Sequence, residues 1–220
     1  AVSATKTGAY DFITKPFKTD VLLHTIDRAL GEAKLRRENQ DLKDRVGGGV
    51  EEELVGSSPV MQDTIKALEK VAPTDSRVLI TGVPGSGKSL AARLIHNQSS
   101  RQDGPYVTLN CASLESDGFE EALFGIEATE DSARKVGLLE EAHGGTLLLD
   151  EVSDTPIETQ GKIVRVLHNQ KFQRVGGTGW VEVNVRVIAT SNRDLEKLMH
   201  DGLFREDLFF RLNVVPLTMP

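Results

Sequence analysis

Hydrophobic and polar positions change their period along this 220-residue chain. Near the start, "AYDFITKPF" mixes β-branched and aromatic residues ahead of a proline, which predicts a short strand at about residues 9–14. The next stretch, "KTDVLLHTIDRAL", repeats apolar residues at spacings of three and four, which predicts an amphipathic helix. The apolar stripe of that helix consists of Leu22, Leu23, Ile26 and Leu30.

Residues 31–46 keep a helical composition but contain few apolar positions, chiefly Leu35 and Leu42. One interpretation is a solvated linker helix, and the other is a short coiled-coil seam between two copies, since these leucines are seven residues apart. Two positions do not distinguish the alternatives. The three glycines at 47–49 are expected to end the helix, because glycine loses more conformational entropy on folding than any other residue.

From residue 54 onward, short apolar runs alternate with helical segments. The runs are apolar on both faces, which is typical of parallel strands buried between two layers of helices, so the pattern predicts a three-layer α/β domain. The predicted strands lie at 77–82, 105–110, 145–151, 185–192 and 214–219. "TPIE" predicts a helix over 156–169, with Thr155 as N-cap, Pro156 at the first helical position and Glu158 completing a capping box.

The charge and the cysteine content limit the classes of protein to which the chain can belong. The 26 basic and 33 acidic side chains give a formal net charge of −7, and no block of Lys and Arg suited to DNA phosphates is present. The lone cysteine, Cys111, follows an apolar run, so we expect a small buried hydrophobic residue rather than a nucleophile. We see no signal peptide and no membrane-spanning run, and expect a cytoplasmic location. The first residues resemble the end of a helix, and the last residues are a predicted strand with nothing after it. We therefore expect this chain to be a piece of a longer protein.

The segment "GVPGSGKS" fits the P-loop pattern G-x-x-x-x-G-K-[ST] and follows a predicted strand. Backbone N–H groups of such a loop surround phosphate groups, the lysine adds a positive charge, and the serine can bind Mg²⁺. A helix predicted to begin near Lys88 would direct the positive end of its dipole at the same anion. The alternative, a structural glycine turn before an ordinary helix, does not account for the Lys-Ser pair.

The run "GTLLLDE" places two carboxylates, Asp150 and Glu151, directly after an apolar strand. In P-loop NTPases an aspartate in this place holds the Mg²⁺ shell, and a neighbouring carboxylate can polarise the attacking water. The alternative is an acidic pair in a solvated turn. The P-loop upstream favours the catalytic interpretation.

Two other predicted strands end in polar residues, at Asn110 and at Ser191 with Asn192. Ligands of doubly wound sheets bind at the carboxyl ends of the strands, so these residues are expected near the P-loop, although asparagine is also common in turns.

In "FREDLFFRL", Phe204, Leu208 and Leu212 recur every four residues and predict a helix. From the pattern alone, Arg205 and Arg211 beside that stripe are best explained by packing of their aliphatic stems.

Residues 54–220 closely resemble the central ATPase of the bacterial enhancer-binding proteins, the NtrC class of AAA+ response regulators. The matching motifs are "LVGSSPVMQ", "GVPGSGKS", "LNCASL", "ALFG", "GLLEEAHGGTLLLDEV", "QRVGG", "VNVRVIATSNRDL" and "GLFREDLFFRLNVVPL". Residues 1–31 resemble the C-terminal part of a receiver domain, with Phe12 at the aromatic switch position and Lys15 as the lysine that contacts the phosphoaspartate. Residues 32–53 would be the linker, and the lid of the ATPase is missing from 54–220.

The resemblance implies a role for each candidate site residue. Walker A comprises Gly82, Val83, Pro84, Gly85, Ser86, Gly87, Lys88 and Ser89. Asp150 and Glu151 form Walker B, with Ser89 and Asp150 as the Mg²⁺ ligands. Asn110 is the switch that holds Glu151 away from water, and Asn192 is the sensor I residue. Val55 and Gly56 border the adenine, while Arg205 and Arg211 are arginine fingers that act in trans on the neighbouring subunit's nucleotide.

The resemblance also implies a function: Mg²⁺-dependent ATP hydrolysis by a two-component transcription regulator. Its partners would be further copies in an AAA+ ring, a receiver-mediated dimer, a sensor histidine kinase, RNA polymerase, and DNA through a domain outside this chain, with no membrane. Without the lid, hydrolysis by this chain alone is expected to be weak.

One departure from the family pattern concerns sigma-54. Members that remodel sigma-54 polymerase carry GAFTGA in a loop after "LFG", whereas here "LFGIE" leads to "ATEDSARKV" and then "GLLEEA". Set against the NtrC pattern, the segment is about three residues short. The NtrX branch often lacks this loop, and "KVGLLEEAHGGTLLLDEV" resembles NtrX more than NtrC. The alternative function is therefore a DNA-binding regulator that uses ATP only for assembly, independent of sigma-54.

Overall fold

The computed structural model describes residues 54–114, 116–128 and 133–220. The strand and helix predicted within residues 9–30, the linker up to residue 53, and the receiver residues Phe12 and Lys15 lie outside the described residues. The predicted division of the chain at residues 31 and 53 stays a prediction.

Each apolar run predicted to be a strand contains one. The strands are β1 Val78–Thr81, β2 Tyr106–Asn110, β3 Thr146–Asp150, β4 Lys171–Gln173, β5 Trp180–Glu182, β6 Arg186–Ser191 and β7 Val215–Thr218. Five of them form a parallel sheet in the order β2-β3-β6-β1-β7. The antiparallel pair β4-β5 was not predicted.

Helices cover both faces of the sheet. They are α1 Pro59–Val71, α2 Lys88–Asn97, α3 Ser116–Phe124, α4 Leu138–Glu141, α5 Ile157–Asn169, α6 Leu195–His200 and α7 Glu206–Leu212, with short 3-10 turns at Cys111–Ser113 and Val152–Asp154. On β3, Leu147 and Leu149 pack into the cluster beneath α5 and α7, while Leu148 packs into the cluster beneath α1 and α2. The predicted three-layer α/β fold is confirmed. Within the described part of the chain, no helix has the length and apolarity needed to cross a bilayer.

The predicted N-cap of α5 is wrong. The N-cap is Pro156, and Thr155 is the residue before it. The N–H of Thr155 donates to the carbonyl of Val152 and closes the preceding 3-10 turn, which leaves Thr155 extended and buried. Glu158 is thereby moved one position earlier in the helix than a capping box requires.

Cys111 is buried in the core, as predicted. Burial raises the pKa of its thiol to about 12, so the nucleophilic thiolate is rare at neutral pH.

A buried arginine joins the start of β6 to α1. The Arg186 side chain is 2% exposed, and its guanidinium donates to the carbonyls of Ala72 at 2.8 Å, Val71 at 3.0 Å and Ser76 at 3.2 Å. The bonds to Val71 and Ala72 satisfy carbonyl groups at the C-terminal end of α1 that have no partner within the helix, and the bond to Ser76 reaches the loop that follows. Burial lowers the pKa of Arg186, and the nearby Asp75 carboxylate opposes that effect.

Candidate nucleotide site

The P-loop connects β1 to α2 at the carboxyl edge of the sheet. The N–H of Gly82 donates to the carbonyl of Ser191 on the neighbouring strand, and the N–H of Ser86 donates to the carbonyl of Val83 within the loop. Gly87 caps α2 in the left-handed conformation, with φ of 88°, which glycine adopts without strain. The helix therefore begins at Lys88 with its unpaired N–H groups facing the loop, which is the arrangement of an anion site.

Lys88 is the buried cation of this site, with 5% of its surface exposed. Its Nζ donates to the carbonyls of Gly82 at 3.1 Å and Val83 at 3.2 Å, and it lies 3.3 Å from Oε1 of Glu151. The predicted P-loop lysine and the predicted carboxylate of the strand end are thus in direct contact.

The acidic pair lies at the end of β3. Oδ1 of Asp150 accepts from Ser89 Oγ at 3.2 Å and from Thr190 Oγ1 at 2.7 Å. Glu151 has φ 55° and ψ 56°, a left-handed conformation that is rare for a residue other than glycine. Oε2 of its carboxylate accepts the backbone N–H of Asn192 at 2.8 Å.

The oxygen atoms at the P-loop suit magnesium. Ser89 Oγ and Asp150 Oδ1 supply a hydroxyl and a carboxylate, the hard ligands that Mg²⁺ prefers. Among the described residues there is no cluster of three or more His, Cys, Asp or Glu side chains that could enclose a metal. Mg²⁺ is usually bound by one or two protein groups together with waters and phosphate oxygens. Within the P-loop, Ser86 Oγ is buried and has no hydrogen-bond partner in the described part of the protein.

The two asparagines take different places. Asn110 lies in register with Asp150, and its Oδ1 accepts the N–H of Ala112 at 3.0 Å, which caps the 3-10 turn after β2. Asn192 follows β6 and holds Glu151 through its backbone N–H. The roles predicted for the two side chains, a switch and a sensor, remain predictions.

The helix α7 carries the two predicted arginine fingers. Leu208 and Leu212 are buried on α7, whereas Phe204, which the sequence pattern placed on the same helix, is buried but precedes the N-cap. Arg205 is the N-cap of α7, and its Nε and NH2 each donate to the Asp207 carboxylate at 2.9 Å. This pairing raises the pKa of Arg205 and lowers the pKa of Asp207. Arg211 lies in the last turn of α7.

Val55 and Gly56, the predicted adenine border, precede α1. Val55 is 86% exposed, and the carbonyl of Gly56 accepts from Gln62 Nε2 at 2.6 Å. The adjacent Leu54 lies near Gly87, since a Cβ added at Gly87 would lie 3.5 Å from Leu54 Cδ2. Val55 and Gly56 thus directly follow a residue beside the P-loop, and their contact with adenine remains a prediction.

Thr190 is a residue of this site that sequence reasoning missed. Its hydroxyl contacts both Asp150 and the backbone of Glu151. It precedes the strand-end residues Ser191 and Asn192, which attracted attention because they are polar and close to the turn. The hydroxyl of Ser191 instead bonds to the backbone of Arg193 within the turn. The sequence signal that could have identified Thr190 was its polar side chain within an otherwise apolar predicted strand.

The segment that follows "LFG" is closed at its base. Ile126 and Lys135 form an antiparallel bridge with N–H to carbonyl distances of 2.9 and 3.0 Å. Gly125 and Gly137 approach closely beneath this bridge, and a Cβ on Gly125 would collide with the Lys135 carbonyl oxygen. We call Gly125, Ile126, Lys135 and Gly137 the loop base.

Arg174, which follows β4, pairs with two carboxylates that flank the loop base. It forms ion pairs with Glu140 at 2.7 Å and Glu127 at 3.0 Å, which lower the pKa of both carboxyl groups. Ile126 also forms a parallel bridge with Val175, beside Arg174.

Comparison with known proteins supports the resemblance. The nitrogen assimilation regulatory protein NtrX of Azorhizobium caulinodans is 48% identical over 220 residues, covering 100% of this chain and 48% of that protein. The regulator NtrC of Rhizobium meliloti is 42% identical over 223 residues, covering 100% of this chain and 45% of that protein. The chain thus spans about half the length of these curated relatives.

Solved structures agree. The crystal structure of NtrX from Brucella abortus in complex with ADP superposes with a TM-score of 0.75 at 54% identity, covering 100% of this chain and 49% of that chain. The complex of the same protein with ATP gives a TM-score of 0.74 at 53% identity, with the same coverage. The sigma-54 interaction domain family matches residues 54–218, and the chain belongs to that family.

Proposed function

We propose that this chain binds ATP with Mg²⁺ and hydrolyses it, as the AAA+ core of a two-component response regulator that controls transcription in nitrogen regulation, as the names of its NtrX and NtrC relatives indicate. The observation that carries the proposal is the contact of Lys88 with Glu151 beside the Ser89–Asp150 pair. The NtrX structures with ADP and ATP support it, because their nucleotides are the ligands a P-loop recognises.

Each residue has a chemical part in this proposal. The loop N–H groups and Lys88 hold the phosphates and offset their charge. Ser89 and Asp150 would hold Mg²⁺, which would supply positive charge to offset the charge of the transferred phosphoryl group. Glu151 orients and polarises the attacking water, and Asn110 and Asn192 adjust the position of its carboxylate. Arg205 and Arg211 contribute positive charge to the site of a neighbouring copy.

The wider assembly follows from the relatives and the resemblance. We propose a ring of identical subunits, with residues 1–31 in a receiver domain that mediates dimerisation and accepts phosphate from a sensor histidine kinase. DNA contact would come from a domain outside this chain, and the protein would act in the cytoplasm with RNA polymerase as its target.

A second candidate function is regulation without remodelling of sigma-54 polymerase, in which ATP serves only for assembly on DNA. The sequence lacks GAFTGA, and the loop base closes the segment where that motif would lie. Robust ATP-dependent open-complex formation with sigma-54 polymerase would exclude this candidate.

The test of hydrolysis compares the complete protein with its Glu151→Gln variant. Removing the carboxylate should lower the turnover number by about 10² or more, the usual contribution of a general base, while nucleotide binding persists. Glu69→Gln, an exposed position on α1, is the matched control and should keep full turnover. Background-level turnover in the wild type and in Glu151→Gln alike would refute the proposal.

A further inference from the structure

Thr190 joins the two carboxylate residues of the site through one buried hydroxyl. The residue is 0% exposed and lies on β6, in register with Ile80 of the central strand β1. Its Oγ1 lies 2.7 Å from Asp150 Oδ1 and 2.9 Å from the backbone nitrogen of Glu151. Since the N–H of Glu151 must donate, the hydroxyl proton of Thr190 is free to donate to the Asp150 carboxylate.

The bond to Glu151 acts on a strained backbone. Glu151 has φ 55°, and residues other than glycine persist in this region only where their surroundings hold them. Two of the contacts that hold Glu151 are hydrogen bonds: the Thr190 hydroxyl accepts the N–H of Glu151, and the Asn192 N–H donates to its carboxylate. Both come from β6 and the residue that follows it.

The same hydroxyl constrains Asp150. Oδ1 accepts from Thr190 and from Ser89, so one oxygen of the carboxylate is fixed in direction from two sides. A valine in this place would have nearly the same volume and β-branched shape but could make neither bond, whereas a serine could make both.

We propose that Thr190 is a positioning residue of the site, whose hydroxyl fixes the direction of the Asp150 carboxylate and the left-handed backbone of Glu151. Its catalytic consequence rests on the proposed ATPase function. The contact itself does not, because it joins only residues of this chain.

The test compares three variants in the complete protein: Thr190→Val, Thr190→Ser, and Thr146→Val as matched control. Thr146 is equally buried and lies at the opposite end of β3, where its hydroxyl bonds to His96 Nδ1. Thr146→Val therefore reproduces the loss of a buried hydroxyl away from the site.

Two readouts separate positioning from packing. First, hydrogen exchange of the Glu151 amide without nucleotide should accelerate roughly tenfold in Thr190→Val and stay unchanged in Thr190→Ser and Thr146→Val. Second, the turnover number for ATP should fall about 10- to 100-fold in Thr190→Val, with KM changed less than about threefold, because misplaced catalytic groups chiefly lower the rate of the chemical step. Thr190→Ser should retain turnover within about threefold of the wild type.

Three outcomes would overturn the inference: unchanged Glu151 exchange in Thr190→Val, unchanged turnover in Thr190→Val when the wild type is active, or equal defects in the valine and serine variants. If the wild type itself does not hydrolyse ATP, the proposed function fails, and Glu151 exchange alone decides the role of Thr190. Should Thr190→Val not fold, Thr190→Ala also lacks the hydroxyl and is judged on the same readouts.

Discussion

His96 is a titratable residue buried away from the candidate site. Its Nδ1 lies 2.9 Å from Thr146 Oγ1, and its ring packs at a tilt against Tyr106. Burial lowers the pKa of His96, and the positive charges of Arg186 and Arg93 lower it further. The fold therefore favours the neutral imidazole.

The pH dependence of folding should reveal this burial. Above the reference pKa of 6.5, His96 is neutral in both states. As the pH falls below that value, the unfolded chain takes up a proton that the folded chain resists, so the free energy of unfolding decreases. For one histidine the loss at pH 5.5 is at most about 1.4 kcal/mol.

Urea unfolding of the wild type and of His96→Gln at pH 7.5, 6.5 and 5.5 measures the effect. The variant lacks the titrating group, so the stability difference between the two proteins should change as the pH falls. Parallel pH curves would show that His96 is not the group responsible.

Residues of the site differ in how far the sequence could predict them. Lys88 and Ser89 belong to a motif with fixed spacing, and Asp150 with Glu151 ends an obvious apolar strand, so both features were predictable. Thr190 was not, because β6 is buried on both faces and its pattern does not show which neighbour a side chain meets. The left-handed backbone of Glu151 depends on that contact and was equally hidden.

At the level of secondary structure, the loop base requires glycine at two positions, and at one of them the backbone conformation adds to the lack of space. Gly125 has φ 75°, a conformation that side chains rarely adopt, and a Cβ there would meet the carbonyl oxygen of Lys135. Gly137 lacks space as well, since a Cβ would meet the backbone of Gly125 and Phe124. The bridge between Ile126 and Lys135 therefore requires the absence of both side chains.

Gly125→Ala should lower the free energy of unfolding by about 2 kcal/mol or more, because it adds backbone strain and a clash with main-chain atoms. Gly179→Ala is the matched control, since a Cβ at Gly179 meets no atom within 4 Å. Chemical denaturation of both variants beside the wild type gives the comparison. Equal stability of the two variants would contradict the role of the loop base.

Prediction also varied among secondary-structure elements. The strands of the main sheet followed from apolar runs, since burial on both faces leaves a continuous signal. The β4-β5 pair was missed because its strands are short and only Phe172 of β4 is buried. The cap of α5 was misassigned by one residue, because the preceding 3-10 turn uses Thr155 to close itself.

For the whole molecule, the proposed ring requires that Arg205 of one copy reach the nucleotide site of another. The Arg205 guanidinium is exposed and paired with Asp207 on its own helix, while Lys88 and Glu151 lie at the carboxyl edge of the sheet. If Arg205 acts in trans, it must exchange the Asp207 carboxylate for the phosphates of a neighbour.

Mixing two inactive variants tests this arrangement. Arg205→Ala keeps Glu151, and Glu151→Gln keeps Arg205, so a mixed ring contains some interfaces with both groups. In an equimolar random mixture about a quarter of the interfaces combine them, and ATP turnover should recover to about that fraction of the wild type. Each variant alone provides the baseline. A mixture no more active than its components would argue against action in trans.

The bridge between Ile126 and Lys135 lets the segment between these two residues vary in length and sequence. Its two ends are held together whatever lies between them, and a polymer loop closed in this way costs only about 0.6 kcal/mol more for each doubling of its length. A few codons can therefore be gained or lost at this point while the P-loop and its carboxylates stay in place. A change in the length of this segment therefore need not disturb the residues of the candidate nucleotide site.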